Sequence, residues 1–239
     1  MHRDTHAIVT HLGVGDAIIQ AGLAIALLER YERLAFPTYP QYAETLRSIF
    51  AFHPQVSIYP VPRISGEDYG SPRDYTYTTA LKAAGLDLAP PIRLGVYSGR
   101  GIGWDFSKSF YEHAGVDYAM RWRACPIKDA WKAVQQFHTP TPMRRIFVHD
   151  DRARGFLINR RRIGQGFILA PTQGVDSSIL KYANYLIEAD EIHCIDSAFF
   201  WLADSLPTKG HLFLHKYARW QRPYNFQYET YRYWHYLHA

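Results

Sequence analysis

Residues 6–31, HAIVTHLGVGDAIIQAGLAIALLERY, decide how the chain begins to fold. The β-prone run His6–Thr10 leads into a loop with two glycines, and an apolar pattern with helical spacing then extends from Ala17 to Tyr31. This order predicts a strand, a glycine loop and a helix. Working outward, the same half contains predicted strands over 34–37 and 55–60 and predicted helices over 41–50, 76–84, 106–114 and 127–137. Such alternation favours a parallel sheet with right-handed crossovers.

The second half repeats the alternation after the proline-rich stretch Thr139–Pro142. Its strands are predicted over 145–149, 167–170, 191–195 and 211–215, and its helices over 177–189 and 196–206, the first with Asp176 as N-cap. We therefore predict an α/β protein with two small Rossmann-like domains. The first covers 1–138, the second covers 143–216, and an aromatic tail over 217–239 packs back on them.

The composition excludes several classes of protein. Of the 239 residues, 47% are hydrophobic and 21% are charged, which is typical of a chain with a buried core. The net charge of +5 is modest and favours an anionic ligand, and no basic stripe with interleaved aromatics predicts a nucleic-acid partner. Two cysteines are too few for a disulfide framework or a four-cysteine zinc site. The longest apolar stretch, 17–28, is too short to span a membrane, so a cytoplasmic protein is expected.

The glycine loop before the first helix contains the first candidate site. Gly13 and Gly15 would let the backbone approach a ligand closely, beside the free N–H groups of a helix N-terminus. Asp16 has two interpretations: an acid that the helix dipole favours, or a general base that takes a proton from a hydroxyl. A nicotinamide cofactor is not expected, because Ile18 occupies the position of the third glycine in the dinucleotide fingerprint.

Arginines dominate the segment from Arg144 to Arg162. Its seven arginines and two aspartates give a local charge of 7 − 2 = +5, equal to that of the whole chain. Arg152 and Arg154 directly follow a predicted strand, where a ligand would lie. A guanidinium group can bind two phosphate oxygens in a bidentate contact. The alternative is a solvated basic loop. The adjacent Asp150 and Asp151 would suit Mg²⁺ or Mn²⁺, although the flanking arginines could neutralise them instead.

A second candidate anion site lies at a predicted strand-to-helix junction. The backbone N–H groups of Ser197 and Ala198, together with the Ser197 hydroxyl, would form a seat for a phosphate. The alternative is that Asp196 and Ser197 are an ordinary capping pair. The aromatic tail, with Trp220, Tyr224, Phe226 and Trp234 among its members, is expected to pack rather than to bind sugars.

Two of these segments resemble the heptosyltransferase-like glycosyltransferases. The stretch HLGVGDAII over 11–19 is similar to that family's N-terminal loop, in which a Gly-Asp pair precedes an apolar helix. The stretch IDSAFFWLA over 195–203 is similar to its Asp-(Thr/Ser)-Gly-x-x-His-x-x-Ala segment, with Ala198 in place of the glycine and Phe200 in place of the histidine.

The resemblance implies a GT-B fold and a metal-independent transfer of a sugar. A nucleotide-diphosphate sugar would be the co-substrate, and a saccharide or glycan hydroxyl would be the acceptor. Asp16 would be the general base, and Ser197 and Ala198 would hold the donor diphosphate, with Arg152 or Arg154 in place of the family's lysine. Two alternatives stay open: a non-catalytic nucleotide or phospho-sugar binding protein, and a metal-dependent GT-A-type transferase that uses Asp150 and Asp151.

Overall fold

The computed structural model describes residues 5–10, 13–61, 89–95, 105–138, 141–171, 178–219 and 228–238. The chain divides into two compact units, Met1–Pro126 and Ile127–Ala239. The division falls before the proline-rich stretch at which the sequence placed the domain boundary. Of the predicted features, the helix over 76–84, the glycines at 99, 101 and 103, Asp176, Trp220, Tyr224 and Phe226 lie outside the described residues.

The first unit contains a parallel sheet. The strands described there are β1 (Thr5–Val9), β2 (Arg33–Thr38), β3 (Val56–Pro60) and β4 (Ala89–Arg93), in the order β3-β2-β1-β4. The α-helices described in this unit are α1 (Val14–Leu27), α2 (Ala43–Ile49), α3 (Phe106–Ala114) and α4 (Met120–Arg123). Strand β4 was not predicted, because Pro90 and Pro91 argue against a strand. Their missing N–H groups are tolerated because β4 lies at an edge of this sheet as described.

Helix α1 is held tightly by α3 and α4. A Cβ atom at Gly22 would lie 2.4 Å from the carbonyl oxygen of Met120, so only glycine allows the two backbones to approach so closely. The buried hydroxyl of Tyr111 donates to the carbonyl oxygen of Ile19 at 2.8 Å and accepts from the N–H of Leu23 at 3.1 Å. These contacts fix the helix whose first turn contains Asp16.

The second unit also contains a parallel sheet. The strands described there are β5 (Arg145–His149), β6 (Phe167–Leu169), β7 (Glu191–Cys194), β8 (His211–His215) and β9 (Trp234–Leu237), in the order β6-β5-β7-β8-β9. Among the described residues of this unit, the α-helices are α5 (Ile127–Ala130), α6 (Ala183–Glu188) and α7 (Ala198–Ser205). Two parallel sheets with helices between their strands confirm the predicted α/β, Rossmann-like fold class.

The end of the aromatic tail forms a strand that the sequence did not predict. Strand β9 pairs in parallel with β8, and the indole of Trp234 is buried. The fully buried carboxylate of Asp204 in α7 accepts hydrogen bonds from the backbone N–H groups of Tyr231 and Arg232 and from the Trp234 indole, at 3.1–3.3 Å. One buried acid therefore anchors the tail to the second sheet.

Candidate functional site

The candidate anion-binding site lies at the carboxyl edge of the second sheet. Strands β5 and β7 are parallel neighbours, with His149 opposite Cys194, and the N–H of Ile195 donates to the carbonyl oxygen of His149 at 3.1 Å. The segments that follow the two strands therefore emerge side by side. One contains Arg152 and Arg154, and the other contains Asp196, Ser197 and Ala198. Both predicted anion-binding segments therefore lie at the carboxyl edge of the sheet, which is where ligands bind in open α/β sheets.

Ser197 is the N-cap residue of α7, but its side chain does not cap the helix. Its hydroxyl oxygen instead lies 3.0 Å from Nδ1 of His149, the last residue of β5. Burial lowers the pKa of His149 to about 4, although the nearby carboxylates of Asp150 and Asp151 partly oppose this effect. The imidazole is therefore neutral at pH 7. The N–H groups in the first turn of α7 have no partner within the helix, as at any helix N-terminus.

Asp196 is engaged by the C-terminal part of the chain. Its carboxylate accepts a hydrogen bond of 2.6 Å from the hydroxyl of Tyr228 and lies 3.8 Å from the guanidinium of Arg219. Arg219 also donates to the backbone carbonyl of Asp196. The capping interpretation therefore fits neither member of the predicted pair: Asp196 holds the tail, and Ser197 faces His149.

The turn after β5 is a compact unit closed by its own acid. Asp151 and Phe156 exchange backbone hydrogen bonds of 2.9 Å, and Gly155 adopts a left-handed conformation with φ of 75°. The carboxylate of Asp151 is only 2% exposed, accepts from the backbone N–H of Arg154 at 3.2 Å and pairs with its Nε. This contact uses the Nε of the guanidinium, whose carbon lies 5.2 Å from the centroid of the Phe156 ring. The Arg154 side chain itself is 55% exposed.

Most of the predicted basic cluster is neutralised by acids. Four of the seven arginines form ion pairs, namely Arg144 with Glu191, Arg145 with Glu188, Arg154 with Asp151, and Arg160 with Asp150. Three further guanidinium groups, those of Arg152, Arg161 and Arg162, remain without an acid among these pairs. With the four acids of these described ion pairs included, the local charge is 7 − 4 = +3 rather than +5.

Asp150 and Asp151 act as partners of arginines. The carboxylate of Asp150 accepts from Arg160 at 2.8 Å and from the backbone N–H of Ile158 at 3.3 Å. Each aspartate therefore faces a cation already, which disfavours a divalent metal between them. Within the residues that the structure describes, no cluster of three or more His, Cys, Asp or Glu side chains could hold a metal ion.

In the first unit, Asp16 lies in the first turn of α1 and is partly buried. Its carboxylate turns back toward the N-terminus of its own helix. Oδ2 lies so near Gly13, the N-cap residue, that a Cβ atom there would be 2.7 Å away. Gly13 is therefore needed for the position of this carboxylate. Gly15 is the second residue of α1 and is also partly buried.

Sequence reasoning missed a buried polar chain in the second sheet. Glu191 Oε2 lies 3.2 Å from His193 Nε2, His193 Nδ1 lies 2.9 Å from His215 Nε2, and His215 Nδ1 lies 3.0 Å from the hydroxyl of Tyr217. Burial lowers the pKa of His193 and lowers that of His215 to about 3. The signal in the sequence is the spacing of two between Glu191 and His193, which places both side chains on one face of β7.

Comparisons with known proteins give matches at the level of structure. No protein-family model matches the chain. No curated protein matches its sequence. The chain is similar to the iron-containing dodecameric glycosyltransferase TibC from enterotoxigenic E. coli H10407, with a TM-score of 0.54 and 13% identity. That match covers 96% of this chain but only 62% of TibC, so the chain spans less than two thirds of that protein.

A second solved structure is the glycosyl transferase family 9 protein from Veillonella parvula DSM 2008. The TM-score is 0.48 and the identity is 8%, over 89% of this chain and 79% of the other. The chain has a glycosyltransferase-like fold. This confirms the fold that the two sequence segments implied. None of the described helices is long and apolar enough to cross a membrane.

Proposed function

We propose that the chain is a metal-independent glycosyltransferase that moves a sugar from a nucleotide-diphosphate donor to a hydroxyl of a saccharide or glycan. The observation that supports this most directly is the meeting of the Arg152–Arg154 turn and the Ser197 junction at one sheet edge. The likeness of the fold to TibC agrees with it.

The donor diphosphate would bind within the second unit. The backbone N–H groups of Ser197 and Ala198 supply hydrogen bonds at the N-terminus of α7, where the helix dipole favours an anion. Arg152 is exposed and Arg154 is about half exposed, and both would bind phosphate oxygens from the neighbouring segment. These groups would stabilise the negative charge that develops on the departing nucleoside diphosphate.

Asp16 would take the proton from the acceptor hydroxyl. The reaction is then a single displacement: the acceptor oxygen forms a bond to the anomeric carbon, and the bond to the diphosphate oxygen breaks. A general base has to lie within hydrogen-bond distance of the proton it removes. Gly13 and Gly15 carry no side chains beside this carboxylate, and a Cβ atom at Gly13 would lie 2.7 Å from its Oδ2.

One observation favours a second candidate, a non-catalytic nucleotide or phospho-sugar binding protein. The Asp16 carboxylate is turned toward the N-terminus of α1, as expected for an acid that only stabilises the helix. The two candidates differ in turnover and agree on binding.

Ligand binding is measured first, by thermal shift and calorimetry against ADP, CDP, GDP, UDP and their sugar conjugates, with and without Mn²⁺. A specific ligand raises the unfolding temperature by mass action. Arg152→Ala and Arg154→Ala should each weaken diphosphate binding by about tenfold, whereas Arg161→Ala, an equal loss of charge in another turn, should not. Equal affinities for all three variants would contradict this donor site.

Turnover then separates the two candidates. Asp16→Asn should abolish transfer and keep donor affinity, because the amide cannot accept the proton. Glu44→Gln is the matched control, since Glu44 is the acid in the first turn of α2. A chain that binds the donor but shows no transfer or donor hydrolysis, with or without Asp16→Asn, is the binding protein.

A further inference from the structure

The contact between Ser197 and His149 is unusual for a helix N-cap. Ser197 occupies the position at which a serine hydroxyl normally accepts a backbone N–H of its own helix, yet this side chain faces an imidazole nitrogen at 3.0 Å. His149 ends β5, Ser197 follows the end of β7 by three residues, and the Ile195–His149 hydrogen bond joins the backbones of the two segments. The pair is therefore fixed from both sides.

The imidazole is also held in place by its own packing. Its centroid lies 4.6 Å from that of Phe199, a buried residue in the first turn of α7. Because burial lowers the pKa of His149 to about 4, the ring has a single N–H at pH 7, on either Nδ1 or Nε2. The contact with Ser197 depends on which nitrogen has it.

A serine hydroxyl has one hydrogen to donate. If Nδ1 has no proton, that hydrogen points at the imidazole, and the hydroxyl can only accept from any other partner. A phosphate oxygen is itself only an acceptor, so this arrangement sets two acceptors against each other. If Nδ1 has the proton, it donates to Ser197 Oγ, and the hydroxyl hydrogen is free for the phosphate.

We propose that His149 is a positioning residue of the diphosphate site: its Nδ1–H donates to Ser197 Oγ and turns the hydroxyl hydrogen toward a phosphate oxygen of the donor. This inference rests on the proposed function, because the donor diphosphate is the anion that the hydroxyl receives. Binding of the donor then selects the Nδ1–H tautomer of His149. Ser197 contacts the ligand, and His149 acts through it.

Two substitutions of His149 separate the donor atom from the ring. His149→Asn keeps an N–H donor close to the position of Nδ1 and removes the ring, whereas His149→Phe keeps the ring against Phe199 and removes the donor. In calorimetry with ADP, CDP, GDP and UDP, His149→Phe and Ser197→Ala should each lower the affinity of the ligand that binds best by about tenfold or more. His149→Asn should stay within about threefold of the unsubstituted chain.

The double variant His149→Phe/Ser197→Ala should bind no more weakly than Ser197→Ala alone, because the imidazole acts through the hydroxyl. A merely structural histidine would give the opposite pattern: His149→Asn would bind as weakly as His149→Phe, and the double variant would bind more weakly than either single variant. Either result overturns the proposal.

A spectroscopic measurement tests the unsubstituted chain directly. With ¹⁵N-labelled histidine, the ring nitrogens of His149 are assigned by comparison with His149→Asn, and the nitrogen that has the proton is read from its chemical shift. At pH 7 with saturating nucleoside diphosphate, Nδ1 should be the protonated nitrogen. A bare Nδ1 in the complex overturns the proposal whatever the variants do.

The results also separate this proposal from the proposed function. If nucleoside diphosphates bind, Arg154→Ala weakens binding and His149→Phe does not, the role of His149 is wrong and the donor site stands. If none of the four nucleotides binds the unsubstituted chain, the donor site and the role of His149 are both wrong.

Discussion

Asp151→Ala should weaken diphosphate binding although Asp151 need not touch the ligand. The side chain is 2% exposed, accepts from the backbone N–H of Arg154 at 3.2 Å and pairs with the Arg154 guanidinium. The lost N-cap bond costs about 1 kcal/mol, and the ion pair to a half-exposed arginine adds at most about 1 kcal/mol after screening by solvent. We expect the free energy of unfolding to fall by about 2 kcal/mol.

Asp150→Ala is the matched control for this change. Its carboxylate also makes one backbone bond, to Ile158 at 3.3 Å, and one ion pair, to Arg160 at 2.8 Å. A similar loss of about 2 kcal/mol is expected from the same two kinds of contact. Only Asp151 closes the turn that contains Arg152 and Arg154, so only its loss should disorder both cations.

Urea unfolding measures the stability of the two variants, and calorimetry measures their affinity for nucleoside diphosphates. Asp151→Ala should bind several-fold more weakly than Asp150→Ala at equal stability. Equal binding by both variants would refute the view that the turn positions the arginines. If nucleoside diphosphate binding requires Mn²⁺ and both substitutions abolish this requirement, the metal-dependent alternative would be supported instead.

Three further outcomes are expected. Gly155→Ala should destabilise the chain by about 1 kcal/mol in urea unfolding, because φ is 75° there while the space around the position is open, and it should also weaken diphosphate binding. Gly22→Ala should destabilise by about 2 kcal/mol in the same assay, although alanine is the better helix former, since its Cβ would lie 2.4 Å from a carbonyl oxygen of α4; a gain in stability would contradict that contact. The buried histidines should make unfolding sensitive to acid: their folded pKa values lie below 6.5, so the unfolded chain binds more protons and stability falls as the pH drops from about 6.5 toward 4. For His149 the free energy of unfolding should fall by up to about 2 kcal/mol between pH 7.5 and pH 5. His149→Asn should remove this contribution from the pH dependence of the urea midpoint.

The strands and helices that neighbouring residues specify could be predicted from the sequence. The apolar runs at 145–149 and 211–215 and the helix closed by Gly115 were predicted with the bounds that the structure has. Strand β4 was missed because two prolines argue against a strand unless its place at an edge is known. Strand β9 was missed because its stability comes from pairing with β8 and from the buried Asp204, which lies about thirty residues earlier.

The same limit applies to the candidate site: positions along a strand could be predicted, and contacts between distant residues could not. That Arg154 and Ser197 follow strands could be deduced from the sequence, and parallel neighbours then place them at one edge. The partner of Ser197 could not be deduced, because His149 lies 48 residues away and the strand order decides the contact. The buried histidines were missed for the same reason, since His193 and His215 meet only once β7 and β8 are paired.

The charge of the arginine segment shows why this limit matters for function. Counted along the sequence, 144–162 has an excess of five positive charges, which by itself predicts a strong and unselective attraction for anions. Glu188 and Glu191 come from a later part of the chain and pair with Arg145 and Arg144, the arginines at the start of β5. Because these acids neutralise the amino end of the strand, the cations that remain for a ligand include Arg152, just beyond the carboxyl end of β5 and in the same turn as Arg154. Pairing across the sheet, which the count along the sequence does not contain, therefore decides which of the arginines stay available to a ligand.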